Sequence, residues 1–589
     1  MTTTSASPAA QLVQETWPTV KFDGQELDDT WGRALVDVRV QSGLRSIGRT
    51  TITFDDLEYG LASSGSVSLG AEVTVSSLAG DALFQGTVTS LTSEGGRSGA
   101  RLVVVADDLA TGLTRTSDAT TYHSMSLQEV VRKLVISPLR LEESGLPTAT
   151  LPFVLRNGSA LGLIAEITER YGLDWAVAGS TFAIWPADSG TAPGTGTESL
   201  TLPGSLQSFT VRQVGDATTS VTVRGWDPVS QQAVVGTATS PSSRSGVTPG
   251  SGSPQLTRTD TRIGLSSASE ARALAAGIAA RTGRVTAQGR ASITPGLQVG
   301  GLVTIDGAGP GNGTYYVREV THHYSPDGAR TSFVAGDRDP VRLSDPWAQA
   351  APSSSFLRSG LVVAIVDDVQ DPENLGRVRV GFATASDLAR SSWARVLQMG
   401  AGSNRGHVFL PSVGDEVLVG FENDDVARPV VLGGLFSEKA AVPGTSVVKD
   451  GKIVGHVIQT NSGHVIHLSE GDQDAESFIL VEVAGQDQSL KIGKTGVELL
   501  AKGGVPLKLT VGDSSSMVFD GKGAITIKGS EITLDATKSV IVKAMDKVEL
   551  TATNSVAVQG TKVSVKANAT ASFEATGITE VKGAMVKIN

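Results

Sequence analysis

The C-terminal part of this chain repeats a short pattern in which two apolar side chains enclose one residue between them. The first members of the pairs are spaced by 7, 8, 8, 8, 7, 8, 8 and 7 residues. The pairs are Ile525/Ile527, Ile532/Leu534, Val540/Val542, Val548/Leu550, Val556/Val558, Val563/Val565, Ala571/Phe573, Thr579/Val581 and Val586/Ile588. A spacing kept over so many pairs indicates a repeat architecture, and it restricts the fold more than any other feature of the sequence.

Each repeat unit predicts a short strand that shows two apolar side chains on one face, followed by a corner. Gly529, Gly560 and Gly577 lie at such corners. One strand of this kind buries two side chains, at about 1.5–3 kcal/mol each, and cannot close a core alone. The units must therefore pair with other strands.

Three ways of pairing are open. A single-chain β-helix with about three strands per turn would be a stub of about 14 Å. Three chains wound together would give a needle of about 43 Å, at about 4.8 Å per unit, with every strand edge paired. An antiparallel meander is the third, although its turns seldom keep a constant period. We favour the intertwined trimer, because it satisfies the backbone and the short repeat together.

Composition sets further limits. The chain has 589 residues, of which 40% are hydrophobic and 19% charged, so we expect several domains with their own cores. Its 68 glycines and 5% aromatic residues favour many short strands and tight turns. The net charge of −11 argues against general binding to nucleic acid. The chain has no cysteine, which excludes disulfides and thiolate chemistry.

The N-terminal sequence MTTTSASPAAQLVQETWPTV lacks the basic and apolar regions of a secretory signal. No run of 18 uncharged apolar residues occurs, so no membrane-spanning helix is predicted. We therefore expect synthesis in the cytoplasm, without a signal peptide.

Three helices are predicted within a chain that otherwise consists of strands and turns. Ser126 and Glu129 form a capping-box pattern at the start of the first. Ser159 begins the second, and Gly172 is placed as the glycine that ends it. The third runs over about 267–283. Everything after residue 285 is predicted to be strand and turn.

Two Ser/Pro/Gly-rich stretches divide the chain. Residues 238–255 are predicted to be a mobile linker inside the first domain, 1–342, and residues 343–357 a second linker. Residues 358–436 hold five or six short strands, with a hairpin turn at Pro372–Asn374, and favour a small OB-type barrel. Strands of a neck over 437–510 lead to the repeat, which we assign to 511–589.

Segments spread over most of the chain resemble those of one known family. The segments DPENLGRVRVGF, SWARVLQ and GHVFLPSVGDEVLVGFENDDVARPVVLGGLF resemble the OB domain of the VgrG proteins and baseplate spikes of contractile phages, and TNSGHVIHLSEGDQDAESFILVEV resembles their neck. Upstream, VSLGAEVTV, RYGLDWAVAGSTFAIWP, VRGWDP and PGLQVGGLVTIDGAGPGNGTYYVREVTHHY resemble the two-barrel hub. The order of hub, OB domain and needle also agrees.

The resemblance implies a mainly β homotrimer: a two-barrel hub with a few helices, an OB-fold β-barrel and an intertwined, triple-stranded β-helix needle. Such a spike plugs the inner tube of an assembled injection particle and contacts tube and baseplate proteins. Sheath contraction drives it through a target envelope, so its membrane contact is mechanical. Residues 437–451 leave no room for the lysozyme domain of some phage spikes, and His467 is the last histidine, so a His-x-His iron tip is not expected.

The end of the repeat is the predicted docking site for another protein. Strands that reach the end of a three-chain prism leave open edges and apolar side chains toward water. The resemblance implies that a conical PAAR-type tip protein covers them. The predicted docking residues are Met585, Val586, Ile588 and Asn589.

No catalytic, cofactor or metal site is predicted. The segment IGKTG at 492–496 lacks the leading glycine of a phosphate-binding loop, because residue 488 is Gln488, and a β-turn is expected there. On a strand, His464 and His467 would point to opposite faces. Both of them and His456 are expected to lie on the surface or to pack in the neck. One of His322 and His323 is expected to pack in the second barrel. The acidic group Asp367, Asp368, Asp371 and Glu373 lacks the glycine and closing glutamate of a calcium loop, so an OB hairpin is expected.

Other functions were weighed against the structural spike, which would not be an enzyme. A β-helical, tailspike-like polysaccharide-degrading enzyme would need an aromatic-rich groove, whereas the repeat holds one aromatic residue, Phe573, and short turns. A receptor-binding fibre would need a C-terminal head. A type VI secretion spike that carries effectors is a further alternative, and the compact neck suits a phage-tail-like or extracellular particle somewhat better.

Overall fold

The structure is a computed structural model of the chain. It describes residues 17–588 apart from 97–98, 189, 214–217, 228–231, 241–255, 262–264, 266, 284, 338, 341–359, 383–388, 444–446 and 486. The predicted linkers fall almost entirely on residues outside this description. The chain divides into two compact units, residues 1–442 and 443–589. No helix among the described residues is long and apolar enough to cross a bilayer.

The first half of the hub is an antiparallel sheet with one buried face. Its strands run in the order β3-β4-β7-β6-β5-β1-β2. Apolar residues of β3 and β4 alternate with exposed or half-buried ones, and Val38, Ile52 and Phe54 are fully buried. The elements are β1 (Thr19–Phe22), β2 (Gln25–Glu26), α1 (Asp29–Ala34), β3 (Leu35–Gly43), β4 (Arg49–Asp55), α2 (Gly60–Ser64), β5 (Glu72–Ser76), β6 (Ala82–Gly96), β7 (Gly99–Asp108) and a 3-10 helix (Leu109–Thr114).

A second core follows, in which two helices cover short strands. Both helices begin as predicted, and the second ends at the predicted glycine. The Ser126 side chain accepts from the Glu129 amide while Glu129 bonds back to Ser126, and Gly172 ends the second helix with φ 67°. The elements are β8 (Ser117–Ser126), α3 (Leu127–Leu134), β9 (Arg140–Glu143), β10 (Thr150–Ser159), α4 (Ala160–Tyr171), β11 (Leu173–Ala178) and β12 (Thr181–Pro186).

The second half of the hub has its own core around Leu200, Val303 and Tyr315, and a smaller core lies between α5 and strands β15 and β16. The third predicted helix is α5. The elements are β13 (Thr197–Thr201), β14 (Leu206–Gln213), β15 (Thr218–Asp227), β16 (Gln232–Thr239), β17 (Leu256–Asp260), α5 (Ala268–Arg281), β18 (Thr282–Gly283), β19 (Val285–Ser292), β20 (Leu302–Asp306), a 3-10 helix (Gly309–Gly311), β21 (Gly313–Ser325), β22 (Gly328–Gly336) and β23 (Asp339–Pro340).

One strand pair joins the two halves of the hub. β21 pairs antiparallel with β3, from Glu319 opposite Gly43 to Tyr324 opposite Val38. A 13-stranded sheet therefore runs across both large cores. Two halves with separate cores agree with the predicted two-barrel hub.

Residues 360–436 form the small OB barrel around a core of Val366, Val380 and Val419. The sheet order is β25-β24-β29-β30-β26. The elements are β24 (Val362–Asp368), β25 (Arg379–Gly381), β26 (Arg395–Val396), β27 (Ala401–Gly402), β28 (Arg405–Gly406), β29 (Glu416–Phe421), a 3-10 helix (Glu422–Asp424) and β30 (Pro429–Gly434).

The OB barrel contacts the hub at two places. The Arg428 guanidinium donates to the backbone carbonyls of Trp226, at 2.9 Å, and Leu265. On another side, Leu155 of β10 packs against the OB core. These contacts attach the barrel to β10 and to Leu265 of the core beside α5.

The second unit begins with a two-stranded hairpin, β31 and β32, followed by an antiparallel meander of five strands, β33 to β37, and a three-stranded sheet, β38 to β40. Beyond Lys528, no β ladder forms among the described residues, which end at 588. The elements are β31 (Val448–Lys449), β32 (Lys452–Ile453), β33 (Gly455–Gln459), β34 (Val465–Glu470), β35 (Ser477–Glu482), β36 (Gln488–Gly493), β37 (Gly496–Ala501), β38 (Leu507–Val511), β39 (Ser515–Phe519) and β40 (Ile525–Lys528).

Candidate assembly surfaces

The repeat holds its apolar side chains in one recurring environment. From Ile532 onward, the branched first members of the pairs are exposed by 48–57%, and the apolar second members by 69–91%. The first member of each pair is thus consistently less exposed than the second. The apolar surface of every unit is therefore open to another chain.

The structure excludes a single-chain β-helix over residues 529–588. That fold needs ladders between successive turns of one chain, and the described residues of this segment make none. The first pair of the repeat differs from expectation, because Ile525 and Ile527 belong to β40 and pair within their own chain, opposite Phe519 and Met517. The part that is free to pair between chains therefore starts after Lys528.

Three of the four predicted docking residues lie in the described part of the chain. Met585 and Ile588 are largely exposed, and Val586 is about half exposed. Asn589 lies outside the described residues. The terminal unit thus presents apolar side chains and unpaired strand backbone at one end of the repeat.

The five-stranded neck sheet carries a larger apolar face. Its members lie directly opposite one another in the ladders, as in the pairs Ile466/Val481, Leu468/Ile479 and Ile479/Ile492. Most are exposed by 41–72%. The face consists of Ile458, Ile466, Leu468, Ile479, Val481, Leu490, Ile492, Val497 and Leu499. No core of this chain covers it among the described residues.

The opposite face of the neck sheet mixes apolar side chains, such as Leu480 and Phe478, with polar ones, and these side chains pack on one another. The His467 ring lies edge-on to Phe478 at 5.5 Å, and Lys491 Nζ lies 4.2 Å from the centre of that ring. His467 is buried, whereas His464 and His456 are exposed. The expected divergence of His464 and His467 is correct, and the apolar face is the feature that sequence reasoning missed. Its signal is the i, i+2 spacing of branched residues in four of the five strands.

The acidic group of the OB barrel is a turn held by arginine. Asp371 accepts from the backbone amides of Glu373 and Leu375 and from the Arg377 guanidinium, at 2.6 and 3.0 Å. These bonds hold the pKa of Asp371 well below its usual range, mainly through Arg377. Asp367 pairs with Arg390 at 3.0 Å. The carboxylates are neutralised by side chains, as an OB hairpin requires.

The remaining motifs also have structural roles. Lys494 and Thr495 form the two-residue turn between β36 and β37, so IGKTG is a β-hairpin. His322 is buried and lies 3.0 Å from Thr331 Oγ1, and this burial lowers its pKa to about 4. His323 contacts Asp37 at 2.6 Å. The described residues hold no cluster of three or more metal-ligating side chains.

Residues 362–436 match the family model of the type VI secretion system/phage-baseplate injector OB domain. The type VI secretion system spike protein VgrG3 of Vibrio cholerae is 34% identical over 103 residues, which are 16% of this chain and 10% of that protein. VgrG1c of Pseudomonas aeruginosa is 36% identical over 75 residues, or 12% of this chain and 10% of the relative. The matches thus span about a tenth of the length of these curated relatives.

Among solved structures, the Escherichia coli c3393 protein, a type VI secretion component, aligns with a TM-score of 0.45 at 17% identity, covering 71% of this chain and 99% of that one. VgrG in the Francisella PdpA–VgrG complex aligns with a TM-score of 0.47 at 10% identity, covering 82% and 87%. The family model and the related sequences confirm the predicted resemblance to VgrG-type spikes, and the family model places it over the OB domain.

Proposed function

We propose, from the premise that residues 362–436 are a VgrG-type injector OB domain, that this chain is the homotrimeric central spike of a contractile injection machine. In this proposal the hub closes the end of the inner tube and contacts the tube and baseplate proteins. The repeat forms the needle, a PAAR-type tip protein covers its end, and the assembly punctures the target envelope when the sheath contracts. The role is mechanical and not enzymatic.

The observation that carries the proposal is the apolar face of the neck sheet. Nine apolar side chains lie side by side across five strands, and no part of the chain's described cores covers them. A monomer would expose this face to water, at about 25 cal/mol for each Å² of apolar surface. Copies of the same chain supply matching faces, which bury the neck.

The repeat favours three copies over two. Each unit shows its apolar pair on one side of the strand, and three such strands around an axis enclose a dry, triangular core. The backbone groups that are unpaired within the chain then bond to the two neighbouring chains. A prism of this kind contains no hinge, so it transmits an axial force along its length.

The experiment is a mass measurement by light scattering on the full chain and on Ile479→Asp. The proposal expects three times the chain mass of 60.7 kDa for the unaltered protein and a loss of trimer for the variant. Glu498→Gln, on the opposite face of the same sheet, is the matched control and should stay trimeric. A monomer for the unaltered protein would rule out the spike.

A further inference from the structure

The OB barrel carries two apolar surfaces that the described residues of its own chain leave exposed. The first is a long connection between β26 and β29, residues 397–413, which we name the OB arm. Its apolar residues Leu397, Met399, Val408, Phe409, Leu410 and Val413 are exposed by 41–86%. None of them belongs to the OB core.

The OB arm is held in shape although its apolar side chains are exposed. β27 and β28 pair at its tip, and the His407 amide donates to the Gly400 carbonyl at 2.9 Å. The Gln398 side-chain amide bonds to both backbone groups of Phe409. It donates to the Phe409 carbonyl at 3.1 Å and accepts from the Phe409 N–H at 3.0 Å. The arm therefore presents its side chains on a preorganised hairpin, which lowers the entropic cost of binding.

The second surface lies on the outer face of the β24–β29–β30 sheet and is named the OB patch. It consists of Leu361, Val363, Ile365, Leu418, Gly420 and Leu432. Because Gly420 has no side chain, Leu361 and Leu432 approach each other across β29, and a Cβ there would lie 3.3 and 3.6 Å from them. The patch is continuous, uncharged and open to solvent.

We infer that the OB arm of one chain binds the OB patch of the next chain around the ring. A twofold contact pairs a surface with its own copy, whereas two different complementary surfaces make a head-to-tail contact that closes into a ring. This inference rests on the proposed homotrimer, whose tail fixes the number of copies at three. It specifies which surfaces of neighbouring OB barrels touch and that the contact runs head to tail.

The charges at the two surfaces agree with this pairing. Arg405, at the tip of the arm, is the one arginine or lysine within residues 397–413. Glu416 lies beside the patch, directly opposite Ile365 in the ladder and on the same face. When the arm lies over the patch, the guanidinium has a carboxylate within reach.

The test uses disulfide trapping, because the chain has no cysteine of its own. Met399→Cys and Val363→Cys are combined in one chain, oxidised mildly and separated without reductant. The inference expects covalent dimers and trimers and nothing larger. Coexpressed single variants should give a mixed dimer, which excludes a link within one chain.

The controls separate this inference from the trimer itself. Met399→Cys alone, and Met399→Cys with Lys439→Cys, should remain single chains of 60.7 kDa on the gel. A particle of three chains with no trapped product would overturn the arm contact and leave the spike proposal standing. A link formed by Met399→Cys alone would mean that the OB arms of two chains contact each other, and it would also overturn the contact between arm and patch. A monomer in solution would overturn both proposals.

Charge reversal gives a second, independent readout. Arg405→Glu and Glu416→Arg should each lower the trapped yield in low salt by about two- to fivefold, the range of an exposed ion pair. The two changes together should restore it. Additive losses in the double variant would contradict the contact.

Discussion

Gly172 and Gly277 touch through their backbones, where the end of α4 meets the middle of α5. A Cβ on Gly277 would lie 2.6 Å from the Arg170 carbonyl oxygen, and one on Gly172 would lie 2.6 Å from Gly277 Cα. The obstructing atoms are backbone and cannot turn aside. This contact joins the helix-covered core that contains α4 to the small core beside α5.

Gly277→Ala is therefore expected to destabilise the hub by about 1–3 kcal/mol, the usual cost of overpacking. The measurement is the urea midpoint of the full chain. Gly32→Ala in α1 is the matched control, because a Cβ there meets nothing within 4 Å. That change should be neutral or stabilise by up to about 1 kcal/mol. Equal effects of the two substitutions would contradict the close contact.

His322 predicts a loss of stability in weak acid. Its pKa is lowered to about 4 by burial, so the unfolded chain takes up a proton below pH 6.5 while the folded chain does not. The stabilisation is complete above pH 6.5 and is lost as the pH falls toward 4, by about 3 kcal/mol in all.

The measurement is the free energy of unfolding at several pH values for the natural chain and for His322→Asn. Burial raises the pKa of Asp108 to about 6, and this group works in the opposite direction between pH 6 and 4. Comparing the two chains cancels that contribution. An unchanged slope in His322→Asn would show that this histidine is not responsible.

Ile588→Asp, or removal of the last four residues, is expected to abolish binding of the tip protein and to leave the trimer intact. The charge would replace an apolar side chain that the tip should bury. A pull-down with a coexpressed tip protein measures binding. Ile541→Asp, at a position between the two inward members of its pair, is the control and should still bind. Unchanged binding by the shortened chain would move the docking site elsewhere.

A chain that ends at Lys528 is expected to remain a trimer of lower stability. The β38–β40 sheet and the neck face are complete in it, whereas all units that pair between chains are gone. Light scattering across a dilution series measures the dissociation. A trimer as resistant to dilution as the full chain would mean that the repeat contributes nothing.

The sequence predicted those features that arise from local patterns. Ser126 with Glu129 marked a helix start, and Gly172 marked a helix end, because caps are made by residues that are neighbours in the chain. The apolar face of the neck was missed, since it arises only when five strands align in register. The contact of Gly172 with Gly277 was also invisible, because it joins residues that are distant in sequence.

The constant environment of the apolar pairs makes the reach of the tail adjustable in whole steps. Removing residues 540–547 would join two units in the same phase and shorten a three-chain prism by about 4.8 Å, with its cross-section unchanged. Removing three residues would instead exchange inward and outward positions in every later unit. The length of related tails can thus vary in steps of one whole unit while their thickness stays fixed.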